Sequence, residues 1–299
     1  MAIETEQLET WSRQGATLAA KTAYAAVRDA LAAESSAIRF MDYELYLQGS
    51  YRNDTNVRAD SDVDVVVQLN TSFGYDVSAL SQDQAGRFDA AFPNSAPGAC
   101  ERFRNDVLAA LRAWYGAATV KEGKSCLKVG AGPGCLTADV VPATQFRKYE
   151  TFYGAGLQSF TEGIKFFDTN GRCIVNYPKA HYENGVAKNS ENHTHGRFKP
   201  AVRMFKNARS RATERGYLAE DAAPSYFVDC LIYNAPDHLF SVGLEDTYVN
   251  VVNFLHSAQL ANFRSRNGII PLFGPTPEQW STVTATHLIA ALVRLWNEW

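Results

Sequence analysis

The sequence is poor in the features that mark secreted, membrane-spanning or disulfide-stabilised proteins. No apolar run approaches the roughly 20 residues that a membrane span needs. The first fifteen residues lack the basic and then apolar order of a secretory leader. The five cysteines, with no C-x-x-C pair among them, are Cys100, Cys126, Cys135, Cys173 and Cys230. Because an odd, dispersed set argues against a disulfide framework, we expect a cytoplasmic protein in a reducing compartment, without a membrane partner.

An excess of positive charge is also missing. The chain has 29 lysines and arginines against 32 aspartates and glutamates, a formal net charge of −3. Proteins that grip long nucleic acids through phosphate contacts are usually basic or carry a basic stripe, so such a partner is less expected. The 46% of hydrophobic residues in a chain of 299 is ample for a buried core. This length fits one large or two medium domains, at roughly 150 residues per domain.

The first half of the chain mixes helix and strand patterns. Residues 5–33 are rich in helix formers, with apolar residues at spacings of three and four, and predict one helix. The segment "CERFRNDVLAALRAWYG" predicts another helix that ends at Gly116. Short strands are expected at 43–48, 64–69, 118–120, 125–129 and 137–141.

After about residue 165 the pattern becomes mostly helical. "RFKPAVRMFKNARSRATERG" predicts a helix that stops at Gly216, and the C-terminal segment has an apolar face that includes Leu288 and Leu292. Residues 183–199 are polar and predict a loop. The sequence therefore predicts an α+β fold with two domains, residues 1–165 and 166–299.

Three aspartates lie beside predicted buried strands, where a carboxylate is energetically unfavourable. Asp62 and Asp64 stand at the start of a valine-rich strand and share one face, because side chains alternate along a strand. Asp139 has a similar setting in "LTADVVPA". If the two strands are neighbours, three mutually repelling carboxylates converge, and a divalent cation would relieve the repulsion. Two Mg²⁺ ions, or Mn²⁺ in their place, suit such hard oxygen ligands and bind substrate phosphates as well.

A Gly-Ser pair lies a dozen residues before these acids. Gly49 follows a predicted strand and lets the backbone approach a ligand closely. Ser50 offers a hydroxyl at the start of a helical turn, where free N–H groups favour phosphate. The combination predicts a phosphate cradle and a metal site. The structural alternative is an acidic turn capped by Ser61, with Asp139 facing solvent.

The stretch "GSYRNDTNVRADSDVDVVV" resembles the active-site signature of the nucleotidyltransferase superfamily that includes poly(A) polymerase. Further segments, "WSRQGATLAAKTAY", "VNYPKAHYENGVAKN", "RMFKNAR" and "APSYFVDCLIYN", resemble the E clade of the bacterial cGAS/DncV-like nucleotidyltransferases. This resemblance implies a Pol-β-like mixed-sheet catalytic core and a helical poly(A) polymerase/OAS-like C-terminal domain, with the N-terminal helix bridging the two.

The implied activity is synthesis of a cyclic dinucleotide second messenger from nucleoside triphosphates, with UTP and ATP as the leading pair, in anti-phage (CBASS) signalling. By the same resemblance, Asp62 and Asp64 would hold both metals. Asp139 would complete the shell of the catalytic metal and orient or deprotonate the attacking 3′-hydroxyl. Gly49 and Ser50 would cradle the donor triphosphate.

Three further positions resemble nucleotide-binding positions of the family. Asn176 resembles a uracil-selecting asparagine, and an amide can pair with the N3–H and O4 of uracil. The alternative is that Asn176 only shapes the turn before Pro178. Lys206 and Ser225 resemble positions that reach the phosphates of the donor, although a lysine on an amphipathic helix is more often a solvated side chain.

The polar loop contains His193 and His195 without a nearby cysteine pair, so a structural zinc site is not expected. This departs from animal cGAS, and with the acidic net charge it argues against activation by double-stranded DNA. Regulatory or effector proteins are left open as partners. Two alternatives remain: a nucleotidyltransferase that acts on an RNA, protein or small-molecule acceptor, and a non-catalytic nucleotide-binding protein.

Overall fold

A computed structural model describes residues 2–57, 62–93, 98–130 and 136–299. The helices in these ranges are α1 Thr5–Ser12, α2 Leu18–Ala32, α3 Gly49–Arg52, α4 Gln82–Ala91, α5 Ala99–Tyr115, α6 Pro178–Asn189, α7 Phe198–Glu214, α8 Ser225–Tyr233, α9 Leu244–Ser257 and α10 Thr282–Asn297. The strands are β1 Tyr43–Leu47, β2 Val63–Asp76, β3 Val120–Glu122, β4 Leu127–Val129, β5 Ala138–Gly154, β6 Leu157–Phe167 and β7 Cys173–Asn176. Two short 3₁₀ helices cover Asp237–Leu239 and Leu260–Asn262. Within the described ranges, no helix has both the length and the apolar character that a bilayer crossing requires.

The chain divides into two compact units. The helical unit comprises residues 1–16, 49–59 and 180–299, and the sheet unit comprises residues 17–48 and 60–179. The predicted division at 165/166 falls inside β6, because β6 and β7 continue the sheet beyond it. The predicted N-terminal helix contributes α1 to the helical unit and α2 to the sheet unit.

The sheet unit is built on one mixed sheet with the strand order β1-β2-β5-β4-β3, and β6 and β7 extend it from β5. The pair β2 and β5 is parallel, and the other strand pairs are antiparallel. Helices α2, α4 and α5 contact β2 or β5. Alternate residues of β2, Val63, Val65 and Val67, are fully buried. The mixed sheet followed by a helical region confirms the predicted α+β class.

Two predicted strands are longer in the structure than the sequence indicated. The strand expected at 64–69 continues to Asp76 after a register shift between Leu69 and Phe73. The strand expected at 137–141 continues to Gly154, because its second half pairs with β6 in a long hairpin. Its extension, "QFRKYETFYG", does not alternate cleanly, so the sequence pattern hides it.

Two other expectations were wrong in detail. The single helix expected over residues 5–33 is broken between Ser12 and Leu18. Bonds from a distant segment fix the break: the Gly15 N–H donates to the Asn56 carbonyl at 3.0 Å, and the Asn56 amide donates to the Ala16 carbonyl at 3.3 Å. The polar stretch 183–199, expected as a loop, is helical as far as Asn189 and again from Phe198.

The helical unit packs around α7, which contacts α1, α8, α9 and α10. Its apolar face is fully buried through Phe198, Val202 and Phe205. The ring of Phe205 stacks on Tyr248 of α9 with centroids 5.1 Å apart. Burial of large aromatic and aliphatic side chains of this kind supplies most of the favourable free energy of folding.

One histidine is buried in this unit. His181 on α6 is 5% exposed and stacks on Tyr226 with ring centroids 5.0 Å apart. Its Nδ1 has no hydrogen-bond partner among the residues that the structure describes. Burial, and then the neighbouring charge of Arg266, lower the pKa of His181 from 6.5 to about 3. The imidazole is therefore neutral in the folded protein at neutral pH.

We expect His181 to make the fold sensitive to acid. Below pH 6.5 the unfolded chain binds a proton at this side chain, whereas the folded chain does not until about pH 3. The free energy of unfolding therefore falls as the pH falls through this window, by up to about 1.4 kcal/mol per pH unit from this one group. Denaturant unfolding between pH 7 and 5 should show a shallower decline for His181→Phe, which keeps a ring against Tyr226.

The matched control is His256→Phe, at an exposed position of α9. It should decline as the wild type does. An equal pH dependence of unfolding in the wild type and His181→Phe would contradict the assignment.

Candidate active site

Two of the three aspartates lie side by side on neighbouring strands. Asp64 and Asp139 are direct register partners in the parallel pair of β2 and β5, and directly opposed residues share one face of a sheet. Asp62 precedes β2, and the hydroxyl of Thr137, just before β5, donates a hydrogen bond to its carboxylate. The strand pairing therefore brings Asp64 and Asp139 together, and Thr137 links Asp62 to the start of β5.

Asp139 is partly buried, and the charged side chains near it are mostly carboxylates. Its side chain is 22% exposed, so it does not face open solvent as the structural alternative required. Burial and the charge of Asp62 raise the pKa of Asp139, and Lys128, its partner on β4 with Nζ 4.0 Å away, opposes the shift. Burial and the adjacent Asp139 raise the pKa of the Cys126 thiol to about 12. Among the described residues, exposed Lys128 is the only positive charge that acts on the pKa of Asp139, so a bound cation would be stabilised here.

The chemistry of these donors fits Mg²⁺ or Mn²⁺, which prefer carboxylate oxygens. Among the described residues, no three histidine, cysteine, aspartate or glutamate side chains are already gathered around a common point that could hold a metal ion. Convergence of all three carboxylates on an ion therefore stays a prediction. Ser61, the proposed cap of an acidic turn, lies outside the described residues.

The Gly-Ser pair opens the short helix α3 in the helical unit. Gly49 has φ 65°, a left-handed conformation that glycine adopts without strain. The Gly49 carbonyl accepts from the Asn53 side chain at 2.6 Å and from the Asn53 N–H at 3.3 Å. The Ser50 carbonyl accepts from the Thr55 N–H at 2.9 Å. We call residues 49–56 the Gly-Ser turn; its first two carbonyls are bonded within it.

The residue before this turn is fixed in the sheet unit. The Gln48 N–H donates to the Asp64 carbonyl at 2.9 Å, which extends the pairing of β1 with β2 by one bond. The backbone at Asp64 is thus bonded on one side to the segment that leads to Gly49 and paired on the other side with β5.

Asn176 ends β7, opposite Ile164 of β6. Its side-chain oxygen accepts the Tyr177 N–H at 2.8 Å. This bond orients the amide and leaves the oxygen a second lone pair. Gly163 lies against this corner: a Cβ there would be 2.7 Å from the Asn176 carbonyl oxygen and 2.8 Å from the Tyr177 ring. Sequence reasoning missed Gly163, although a lone glycine inside the strand pattern "FTEGIKFF" signals a close approach.

Lys206 and Ser225 are both engaged within the helical unit. Lys206 is 2% exposed and donates to the Thr55 carbonyl at 3.1 Å and to the Thr55 hydroxyl at 3.0 Å. The solvated-lysine alternative is therefore wrong. Ser225, at the start of α8, accepts a hydrogen bond from Arg209 at 3.1 Å. Contact of Lys206 and Ser225 with donor phosphates stays a prediction.

Sequence reasoning also missed two buried charges beside Lys206. Asp229 on α8 is 3% exposed, and Arg266 is 1% exposed. Arg266 donates to Asp229 at 2.5 Å, and the Lys206 Nζ lies 3.7 Å from Asp229. The available signal was the aspartate inside the apolar run "SYFVDCLIY", because an acid there requires a buried partner.

Comparisons with known proteins show the family to which the chain belongs. Residues 183–297 match the model of the cGAS/DncV-like nucleotidyltransferase C-terminal helical domain. A cyclic UMP-AMP synthase from Rhodothermus marinus is 43% identical over 300 residues, covering 100% of this chain and 99% of that protein. The chain belongs to the cGAS/DncV-like nucleotidyltransferases.

Two further similarities place the chain within this family. The structure of the Rhodothermus marinus CdnE c-UMP-AMP synthase with Apcpp and Upnpp superposes with a TM-score of 0.87 at 42% identity, covering 99% of this chain and 97% of that one. A cyclic dipyrimidine nucleotide synthase CdnE from Legionella pneumophila is 35% identical, covering 99% of this chain and 98% of that protein. The predicted fold and the predicted class, a nucleotidyltransferase related to the cyclic dinucleotide synthases, are confirmed.

We expect Gly163→Ala to disturb the corner that carries Asn176. The added methyl group would meet backbone and ring atoms at less than 3.0 Å, and overpacking of this kind costs about 1–3 kcal/mol of unfolding free energy. Denaturant unfolding is the measurement. Gly156→Ala, in the exposed β5–β6 hairpin where a Cβ would meet no atom of the described residues within 4 Å, is the matched control. Equal stability of the two variants would show that Gly163 is not packed as described.

Proposed function

We propose that this nucleotidyltransferase makes a cyclic dinucleotide from two nucleoside triphosphates, with UTP and ATP as the leading pair and cyclic UMP–AMP or a related pyrimidine-containing ring as the product. The observation that carries the proposal is the register of Asp64 with Asp139 in a chain that matches a cyclic UMP-AMP synthase over its full length. The similar structure from Rhodothermus marinus, solved with Apcpp and Upnpp, supports adenosine and uridine triphosphates as substrates.

We assign the metal-holding role to Asp62, Asp64 and Asp139, with Mg²⁺ as the physiological ion and Mn²⁺ as a substitute. When bound, two such ions would neutralise phosphate charge and lower the pKa of an attacking hydroxyl. Asp139 has the additional role of orienting the 3′-hydroxyl and accepting its proton. The raised pKa of its half-buried carboxyl suits a general base better than a fully solvated carboxylate would.

The Gly-Ser turn is proposed to hold the donor triphosphate through Gly49 and Ser50. The reaction forms a bond between the 3′-oxygen of one nucleotide and the α-phosphorus of another, and breaks the bond from that phosphorus to the pyrophosphate oxygen. The linear product keeps one triphosphate and one free 3′-hydroxyl. A second, equivalent step joins them, so that two pyrophosphates leave for each ring formed.

Selection of the base is proposed to involve Asn176. The Tyr177 N–H orients the amide, whose NH₂ group can donate to a nucleobase and whose oxygen keeps a second lone pair to accept from one. An NH₂ donor matches the O4 carbonyl of uracil and does not match the amino group of cytosine or adenine at the corresponding position. The family contains a synthase named for UMP–AMP and one named for dipyrimidine products, so the second base differs among its members.

We further propose a role in anti-phage (CBASS) signalling, in which regulatory or effector proteins would be partners. The support is the family to which the chain belongs. Its test is protection of a bacterial host that carries the gene with its neighbouring genes.

The reaction itself gives the direct test. Incubation of the purified protein with labelled NTPs and Mg²⁺ should yield a phosphatase-resistant product that contains uridine, identified by mass spectrometry. Asp64→Asn and Asp139→Asn should each lower its formation by about 100-fold or more, because each removes an anionic metal ligand. Asp29→Asn, at an exposed position paired with Arg28, is the control and should keep wild-type activity.

The alternatives predict different outcomes. Products that remain open chains, or activity that appears only when an RNA, protein or small-molecule acceptor is supplied, would favour a different transferase. A chain that binds nucleotides but forms no product would favour the non-catalytic alternative.

A further inference from the structure

Two residues within the Gly-Ser turn, Asn53 and Thr55, bond its first two carbonyls and are themselves hydrogen-bonded to buried side chains outside the turn. Asn53 bonds the Gly49 carbonyl, and Thr55 bonds the Ser50 carbonyl. Arg266 donates to the Asn53 side-chain oxygen, and Lys206 donates to both oxygens of Thr55. Asn53 and Thr55 are 4% and 0% exposed. Each of the two residues that bond a carbonyl of the turn therefore accepts a hydrogen bond from a buried cation, Arg266 for Asn53 and Lys206 for Thr55.

The two cations share one anion. Asp229 accepts from Arg266 at 2.5 Å and from the Thr55 hydroxyl at 3.3 Å, and the Lys206 Nζ lies 3.7 Å away. Burial alone raises the pKa of Asp229, but the nearby Arg266 and Lys206 outweigh it and hold this pKa below its ordinary value. Burial lowers the pKa of Lys206 to about 8, so it stays charged at pH 7. The group therefore carries a net charge of about +1 behind the turn.

Stability alone is a poor reason for this arrangement. Buried ion pairs lose much of their Coulombic gain to desolvation, and apolar replacements of similar volume are often as stable. What such a network does provide is geometry: the planar guanidinium fixes both of its partners, and a fully bonded network allows few alternative arrangements.

A glycine makes room for the guanidinium. The Arg266 Nε donates to the His181 carbonyl of α6 at 2.9 Å. On the same helix, a Cβ at Gly185 would lie 2.8 Å from the Arg266 Cζ and 3.0 Å from its Nε. The space that α6 leaves at Gly185 therefore fits the flat side of Arg266 and would not admit a larger residue without moving it.

We infer that Arg266 and Asp229 are positioning residues that hold the Gly-Ser turn ready for a triphosphate. The inference rests on the proposed function, because it takes Gly49 and Ser50 as the phosphate-binding residues. Neither positioning residue touches the nucleotide. Arg266 acts through Asn53, and Asp229 acts through Thr55 and by keeping both cations in place.

The test separates phosphate binding from binding of the base and sugar. Binding of a non-hydrolysable UTP analogue and of uridine is measured by calorimetry for the wild type, Arg266→Lys and Gly185→Ala. Arg266→Lys keeps the charge but loses the planar fork, whereas Gly185→Ala moves the arginine without changing any charge. Both should weaken binding of the analogue by about tenfold or more, because small misplacements of binding groups are costly. Both should leave binding of uridine within about twofold.

Arg211→Lys is the matched control, because the Arg211 side chain on α7 is 42% exposed and contacts Glu214 and the Trp299 ring, away from the Gly-Ser turn. It should bind both ligands as the wild type does. Thermal unfolding of each variant checks that the fold is kept. If Arg266→Lys does not fold, Gly185→Ala and Asn53→Ala carry the same prediction.

The possible failures are distinguishable. A wild type that binds the analogue, with Gly185→Ala and Arg266→Lys binding it equally well, would overturn the positioning role and leave the proposed function intact. Equal losses for the analogue and for uridine would show a purely structural role and would also overturn it. A wild type that binds no triphosphate would overturn the proposed function and the inference together.

Discussion

The parallel pairing of β2 with β5 places two carboxylates opposite each other at the end of a buried sheet. Like charges so close to an apolar core repel, and their repulsion is strongest where water is scarce. Burial raises the pKa of Asp139 and of the neighbouring Cys126 thiol, and the nearby carboxylates add to both shifts. Lys128 offsets the repulsion only in part, because its side chain is exposed to solvent. Such an arrangement has a physical use where a cation and a charged substrate complete it.

In the helical unit, the buried charges have the opposite sign on balance. Its buried polar network contains more positive than negative charge, and it is bonded to the turn that begins at Gly49. One unit thus concentrates negative charge on strand ends, where metal ions are attracted. The other places positive charge behind a backbone turn, where phosphates are attracted.

The acids could be predicted from the sequence because strand alternation and the valine-rich runs fix their direction. The Asp64–Asp139 partnership then needed only the assumption that two strands are neighbours. The break in the N-terminal helix could not be predicted, because its cause is Asn56, about forty residues further along the chain. Strand lengths were underestimated where β5 and β6 support each other, since pairing between strands leaves no local pattern.

The buried network was equally hidden from the sequence. Arg266 is separated by 37 residues from Asp229 and by 213 residues from Asn53, and no periodic pattern connects positions so far apart. Lys206 illustrates the difficulty: its place on an amphipathic helix favours a solvated side chain, yet tertiary packing buries it. Only the aspartate within an apolar helix indicated that a buried partner existed.

The most direct test of the central claim is a count of bound divalent ions. Mn²⁺ binding, followed by electron paramagnetic resonance in the presence of a non-hydrolysable triphosphate, should show about two ions for each wild-type chain. Asp64→Asn and Asp139→Asn should each weaken binding by about tenfold or more, since each removes one anionic ligand. Variants that bind Mn²⁺ with the number and affinity of the wild type would contradict the claim that these two carboxylates hold the metal.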